Sequence, residues 1–360
     1  MTWLALYDNR ARAVSPKLPD AALDRGTLMF ELDLALFARS AGPLLRLAPR
    51  REPRRMFVIE RYSDGRLHLL RRDGREVSHL SIGLGREPIS GVLRFTHHWD
   101  APRAISLLTA ENLTRGTIRQ QEDRSGLAVD AEAVASLMGG TADCTRSPAL
   151  NWLAIGDHWQ TVGPLPGLAA ETLISTPDGP RPVSALCPGD LVFTRDHGAL
   201  PILWQGRSTV PGAGTMRRVR FRAPYFRLNH DLVLQSRQRI ALTGADVEYH
   251  FGESEMMVEA HHFVDGQTAV WDTASPLATS HGILLDRHAL VEAGGVWTET
   301  LYLGRIGRTG DLARSICAGA LAERGEMPLH HGQVRRELAD YEVQMLLQAR
   351  AARRAPPLAA

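Results

Sequence analysis

A chain of 360 residues exceeds one ordinary hydrophobic core and predicts two domains. Hydrophobic residues at 44% and charged residues at 23% are the proportions of a folded globular protein, which excludes a disordered or fibrous chain. A net charge of only +2 supplies no global field, so nucleic acid and acidic membrane surfaces are not expected partners.

Lys17 is the only lysine, and the arginines are scattered among acids rather than gathered into a phosphate-binding patch. The cysteines, Cys144, Cys187 and Cys317, are far apart and form no CxxC pair. Buried free thiols are expected, not a zinc site or a disulfide framework. No run of about 18 apolar residues occurs, so no membrane insertion is expected. The start MTWLALYDNRARAV carries acid and arginine before any apolar stretch, unlike a cleavable leader. A cytoplasmic address is the default expectation, with leaderless secretion open as the alternative.

Residues 1–158 read as short strands joined by turns. Leu28–Leu34, Met56–Arg61, Arg66–Leu70, Val92–Thr96, Ala104–Leu108 and Trp152–Ile155 are strand-like runs. Ser63-Asp64-Gly65 and Arg72-Asp73-Gly74 supply tight turns between them. This rhythm predicts a β-sandwich or barrel. A helix is expected at Asp130–Met138, with the aspartate as cap. Residues 159–168, rich in proline and glycine, read as a linker.

A mainly β domain is predicted over residues 169–308. Its strands are Thr172–Thr176, Leu191–Thr194, Val219–Phe221, Leu232–Leu234, Arg239–Leu242 and Val247–Phe251. Residues 309–360 change texture and predict a helical appendage. Helices over Asp311–Arg324 and Val334–Arg353 would present Leu312, Ile316 and Ala320, then Leu338, Tyr341, Met345 and Leu346, with a frayed tail from Arg353.

The order of strands in the first part, with the phrase Leu93-Arg-Phe-Thr-His-His-Trp-Asp100, resembles the concanavalin/laminin-G type of sandwich. A more specific set of phrases lies between Gly167 and Gly304. Thr172-Leu-Ile-Ser-Thr-Pro-Asp-Gly179 and Arg181-Pro-Val-Ser-Ala-Leu-Cys-Pro-Gly-Asp190 are followed by Leu191-Val-Phe-Thr194 and Pro201-Ile-Leu-Trp-Gln-Gly206. His281-Gly-Ile-Leu-Leu-Asp-Arg-His288 and Glu299-Thr-Leu-Tyr-Leu-Gly304 come later. Together they resemble the Hedgehog/intein-type (Hint) domain of bacterial proteins, which implies an all-β horseshoe fold. The Pro201 phrase corresponds to a strand, and the two later phrases to the closing block.

The resemblance implies a self-processing reaction. The domain's first residue, a cysteine or serine, attacks the preceding carbonyl, and a histidine in a Thr/Ser-x-x-His block assists. Here the nucleophile position is Gly167, and the block matches Gln235-Ser-Arg-Gln-Arg-Ile240, which places Gln238 where the histidine stands. Glycine has no atom to form an ester, and glutamine does not shuttle a proton near neutral pH. No asparagine follows Gly304, so intein-type splicing also lacks its exit residue.

Other groups deserve weighing. Thr172 has a hydroxyl aimed toward the former site, although a structural hydrogen bond is its ordinary role. On one continuous strand Asp286 and His288 would share a face, opposite His281, and could orient a base or offer two metal ligands. The pairs His97-His98, His261-His262 and His330-His331 are poor chelators, because adjacent strand residues face opposite ways. No metal or cofactor is therefore expected. Trp99 and Trp159 would line a sugar-binding face in a lectin-like first domain, or pack in its core. Cys187 lies in the Pro-Gly-Asp turn, where the family places no chemistry.

Three functions remain open. One is a non-catalytic binding or structural protein on a degenerate Hint scaffold, with a protein or glycan partner. Another is autoprocessing near Gly167 by a different nucleophile. The third is glycan binding by the first domain.

Overall fold

The computed structural model describes residues 2–9, 21–39, 42–50, 52–62, 65–84, 91–139, 143–306 and 309–354. The chain divides into two compact units, Met1–Gly163 and Pro164–Ala360.

The first unit is a sandwich of two antiparallel sheets. One runs, in spatial order, Trp3–Asp8, Leu150–Gly156, Arg25–Asp33, Val92–Asp100, Ile105–Asn112 and Thr117–Asp123. The other runs Cys144–Arg146, Pro43–Leu47, Arg55–Arg61, Arg66–Asp73 and Glu76–Gly83. The strand period of two explains the core: Leu28, Phe30 and Leu32 from one sheet face Leu67, Leu69, Leu80 and Ile82 from the other. Phe30 stacks on Phe95 with ring centroids 5.2 Å apart. Gly74, at φ +60°, makes the tight reversal in which Asp73 pairs with Glu76. Ser63 and Asp64 of the other expected turn lie outside the described residues.

The expected helix spans Ala131–Gly139, and Asp130 Oδ1 accepts the Ala133 N–H at 2.6 Å. That bond satisfies one of the helix's orphan donors, and Asp130 also pairs with Arg55 at 2.8 Å. Replacing Asp130 with alanine is expected to cost about 1 kcal/mol in urea denaturation. An unchanged midpoint and slope would refute the capping role.

The second unit is also mainly β. Its largest ladder runs Arg181–Pro182, Leu173–Ile174, Leu290–Ala293, Val296–Glu299, Arg239–Thr243 and Glu255–Glu259. Leu191–Thr194 joins it through Leu290–Ala293 and pairs with Gly198–Pro201. Trp204–Pro211 pairs with Leu277–Leu284, and Arg218–Phe221 lies between Leu232–Gln235 and Ala269–Asp272. The Pro-Gly-Asp turn has a local cause. Asp190 Oδ2 accepts from Cys187 N at 2.9 Å and from Arg181 at 3.0 Å, while Gly189 takes φ +95°.

Several expectations give way to tertiary context. Val247–Phe251 is not a strand but part of a helix, Ala245–Phe251. Val247 and Phe251 are four apart and pack on the core while Tyr249 points to solvent, which a helix allows and a strand does not. Arg350 ties this helix down through Asp246, at 2.6 and 2.8 Å. The single helix expected over 311–324 is two, Gly310–Ser315 and Gly319–Arg324, and Ala320 is exposed. A helix over Asp340–Arg354 replaces the longer one expected from Val334. Residues 336–338 instead run beside Met257, with Met257 N donating to Arg336 O at 2.8 Å and Leu338 N to Met257 O at 3.0 Å. The buried face carries Val343 and Leu346, whereas Tyr341 and Met345 are exposed. The strand expected over 201–206 begins only at Trp204. Cys187 is exposed and the other two cysteines are half-buried, so the expected burial of all three thiols fails at Cys187. The tail beyond Arg354, and residue 308 of the expected boundary, lie outside the described residues. Among the described residues no helix is long and apolar enough to cross a membrane.

Candidate functional site

Residues 167 and 168 lie between two strands of the second unit. Gln235 N donates to Gly167 O at 2.8 Å on one side. On the other, Leu168 and His281 exchange both backbone bonds, at 2.9 and 2.7 Å. This threading brings Gly167 against Gln238, which is far away in sequence. A Cβ built on Gly167 would stand 1.8 Å from Gln238 Oε1 and 2.7 Å from its Cδ. The amide is fixed from behind, because Nε2 donates to Thr298 Oγ1 at 2.8 Å and to Glu299 O at 2.9 Å. Its carbonyl oxygen is thereby turned toward Gly167. That oxygen accepts hydrogen bonds but neither takes nor delivers a proton near neutral pH.

His281 lies beside this pair but on the other face. Residues directly opposite in an antiparallel ladder share a face, so its imidazole follows Leu168 and leaves the side on which Gly167 meets Gln238. Gln205 Nε2 donates to His281 Nδ1 at 3.3 Å, which leaves the ring proton on Nε2. Burial first, and Arg207 second, push the His281 pKa below its ordinary value. Thr172 is buried, with its methyl near the Gly294 turn and its carbonyl accepting from Val183 N at 2.8 Å.

Asp286 and His288 do not share a strand face. The strand ends at Leu284, the chain bends at 286–287, and Asp286 is exposed beside Arg287 while His288 is buried. His288 Nδ1 accepts the Val334 N–H at 3.0 Å, so its proton sits on Nε2 and is donated to Glu299 Oε2, also at 3.0 Å. Glu299 accepts further bonds from Arg239 N and Nε at 3.2 and 2.8 Å. Burial alone would push the Glu299 carboxyl up, but Arg239 and His288 outweigh it and hold it below the usual range. Sequence reasoning missed Arg239 and Glu299, and only their place beside Gln238 and inside the closing phrase pointed to them.

Cys317 reaches the chain just before Gly167, where its Sγ donates to Pro164 O at 3.4 Å. Burial pushes this thiol up to about 12, so it stays protonated and is a hydrogen-bond donor rather than a nucleophile.

Of the three histidine pairs only His97-His98 lies on a strand and splits across the pleat. His261 and His262 instead sit in the short 3-10 turn Ala260–Phe263 with ring centroids 4.0 Å apart, and His330-His331 lie in irregular chain, so the strand argument fails for both. His97 Nε2 meets Ser106 Oγ at 3.1 Å, whereas His98 Nε2 donates to Gln160 O at 2.7 Å. Among the described residues, no group of three or more His, Cys, Asp or Glu is placed to hold a metal ion. Trp99 is buried in the sandwich core, and Trp159 stacks on His98 at 4.5 Å.

Residues 166–305 match the family model of the Hint domain. The matched stretch begins one residue before Gly167 and ends just beyond the strand that carries Glu299. No curated protein matches the chain. Among solved structures the chain is similar to the gp41-1 intein at 14% identity and a TM-score of 0.26, over 37% of this chain and 96% of that one. It is similar to a heptameric SAP-like pentraxin from Limulus polyphemus at 13% identity and a TM-score of 0.26, over 43% and 71%. The LG1-3 region of the laminin alpha2 chain is similar at 11% identity and a TM-score of 0.25, over 84% and 56%.

Proposed function

We propose that this Hint-domain protein does not process itself and serves as a non-catalytic binding or structural scaffold. The observation that carries this reading is the contact of Gly167 with Gln238. Gly167 itself supplies no side-chain atom to attack the carbonyl before it, and the group facing it is an amide locked by Thr298 and Glu299. Acyl shift needs a nucleophile and a proton relay, and neither role is filled at these positions. Gln235 stands at the first position of the Thr/Ser-x-x-His block, so neither of its two chemical residue types is present.

Intact mass tests this directly. Purified protein held for a day with dithiothreitol or hydroxylamine, which capture thioesters and esters, is expected to keep its single mass of 39.6 kDa. Two fragments meeting near Gly167 would overturn the proposal. Their disappearance in Cys317→Ala would then name the thiol responsible.

A further inference from the structure

On the solvent-facing side of the five-stranded sheet, imidazoles from neighbouring strands meet. His68 lies opposite Ser81 and His79 lies opposite Leu70, so the histidines are diagonal neighbours on one face. Leu67 and Leu69, with Leu80 and Ile82, occupy the other face and pack in the core. His68 Nδ1 and His79 Nε2 are 2.8 Å apart, and the rings are nearly parallel at 18°. Tyr62 covers His68 at a centroid distance of 4.3 Å, while His79 is exposed. The second nitrogen of His68 lies 3.4 Å from Ser81 Oγ, which Arg66 Nε in turn holds at 2.7 Å.

We propose that His68 and His79 form a two-histidine site for a divalent transition-metal ion of the copper(II) type. Imidazole nitrogens suit borderline ions, and copper(II) leads the affinity order for a given nitrogen site. Geometry selects within that class. Two cis nitrogens at about 2.0 Å in a tetragonal site are about 2.8 Å apart, whereas a tetrahedral site needs about 3.3 Å. The 2.8 Å separation matches the first spacing, so a turn of the two rings, without moving the strands apart, would aim both nitrogens at one ion. On the His68 side a supporting partner is present, since a ligating imidazole is oriented by a group on its other nitrogen, here Ser81 Oγ at 3.4 Å. Glu60, directly opposite His68 on the strand to its other side, adds a carboxylate that favours a cation. Remaining positions are open to water.

Proton balance is simple. Without metal, the inner nitrogen of one ring donates to the inner nitrogen of the other. When the ion enters, that proton moves to the outer nitrogen of its own ring, so neutral rings release none.

The test is a Cu2+ titration of untagged, metal-free, full-length protein followed by electron paramagnetic resonance. The first equivalent is expected to give an axial spectrum whose pulsed signal counts two coordinated imidazoles. His68→Gln and His79→Gln should each lose that two-imidazole species, while His197→Gln, an exposed histidine elsewhere, should keep it. The wild type should also gain thermal stability with Cu2+, and His79→Gln should not. A count of one imidazole in the wild type overturns the proposal whatever the variants do. So does an unchanged first-equivalent spectrum in the His68 and His79 variants.

Discussion

Replacing Gly167 with alanine is expected to destabilise the protein by about 1–3 kcal/mol, the usual range for a methyl forced into a filled site. The backbone does not demand glycine here, because Gly167 does not adopt a left-handed φ. On entropy alone, alanine would stabilise by about 0.4–1 kcal/mol by restricting the unfolded chain. The sign is therefore decided by space. The new Cβ would lie 1.8 Å from Gln238 Oε1, so the glutamine must swing away. Swinging away breaks its bonds to Thr298 Oγ1 and Glu299 O, each worth about 1 kcal/mol net.

A double-mutant cycle separates the clash from other effects. Gln238→Ala removes the obstructing oxygen and loses the same two bonds. In Gly167→Ala/Gln238→Ala the oxygen at 1.8 Å and the Cδ at 2.7 Å are gone and of these three atoms only the residue-238 Cβ, at 2.9 Å, stays close, so the double variant should cost clearly less than the sum of the singles. Additive costs in urea denaturation would mean that Gly167 is crowded by something other than Gln238. Gly167→Cys carries the same Cβ and should stay intact in hydroxylamine, because the residue facing it still cannot relay a proton.

The pairing of Gly167 with Gln238 shows what sequence can and cannot carry. Motif order placed the two positions at the opening of the domain and in the block that follows. Their contact, and the orientation of the amide oxygen, depend on residues 167–168 threading between strands that are distant in the chain. Local pattern served well where burial alternates on one face, as at Leu28, Phe30 and Leu32. It misled where one residue type fits two periods. Val247 to Phe251 reads as alternation, yet Gly244, Gly252 and the Arg350–Asp246 pair close it as a helix. Asp286 and His288, two residues apart, would share a face on a continuous strand, but the bend after Leu284 separates them. The residues of the Arg239–Glu299–His288 cluster fall in or beside the quoted phrases, but their contacts left no local signal, because they are joined only through the folded ladder and the 334–338 segment.

That cluster carries the largest effect expected of a single substitution. Arg239→Met should destabilise the protein by about 3–5 kcal/mol, because it leaves the buried Glu299 carboxylate without its cation. Glu337, which Arg239 also binds at 2.6 Å, is more exposed and can return to water, so its share is small. The pH dependence gives an independent check. In the wild type, Arg239 and His288 hold the Glu299 pKa below its unfolded value, so its contribution is complete at neutral pH and is lost as the pH falls below about 4. With Arg239 gone, burial dominates and the same carboxyl rises above its unfolded value, so ionising it opposes folding. The difference between the two proteins should therefore be largest near pH 7 and shrink as acid protonates Glu299. Denaturation midpoints at pH 7 and pH 4 measure it. A gap that stays constant between them would assign the loss to packing of the arginine stem. If charge is the cause, Arg239→Met/Glu299→Gln should recover part of the loss at pH 7, since a neutral amide costs far less to bury than an unpaired carboxylate.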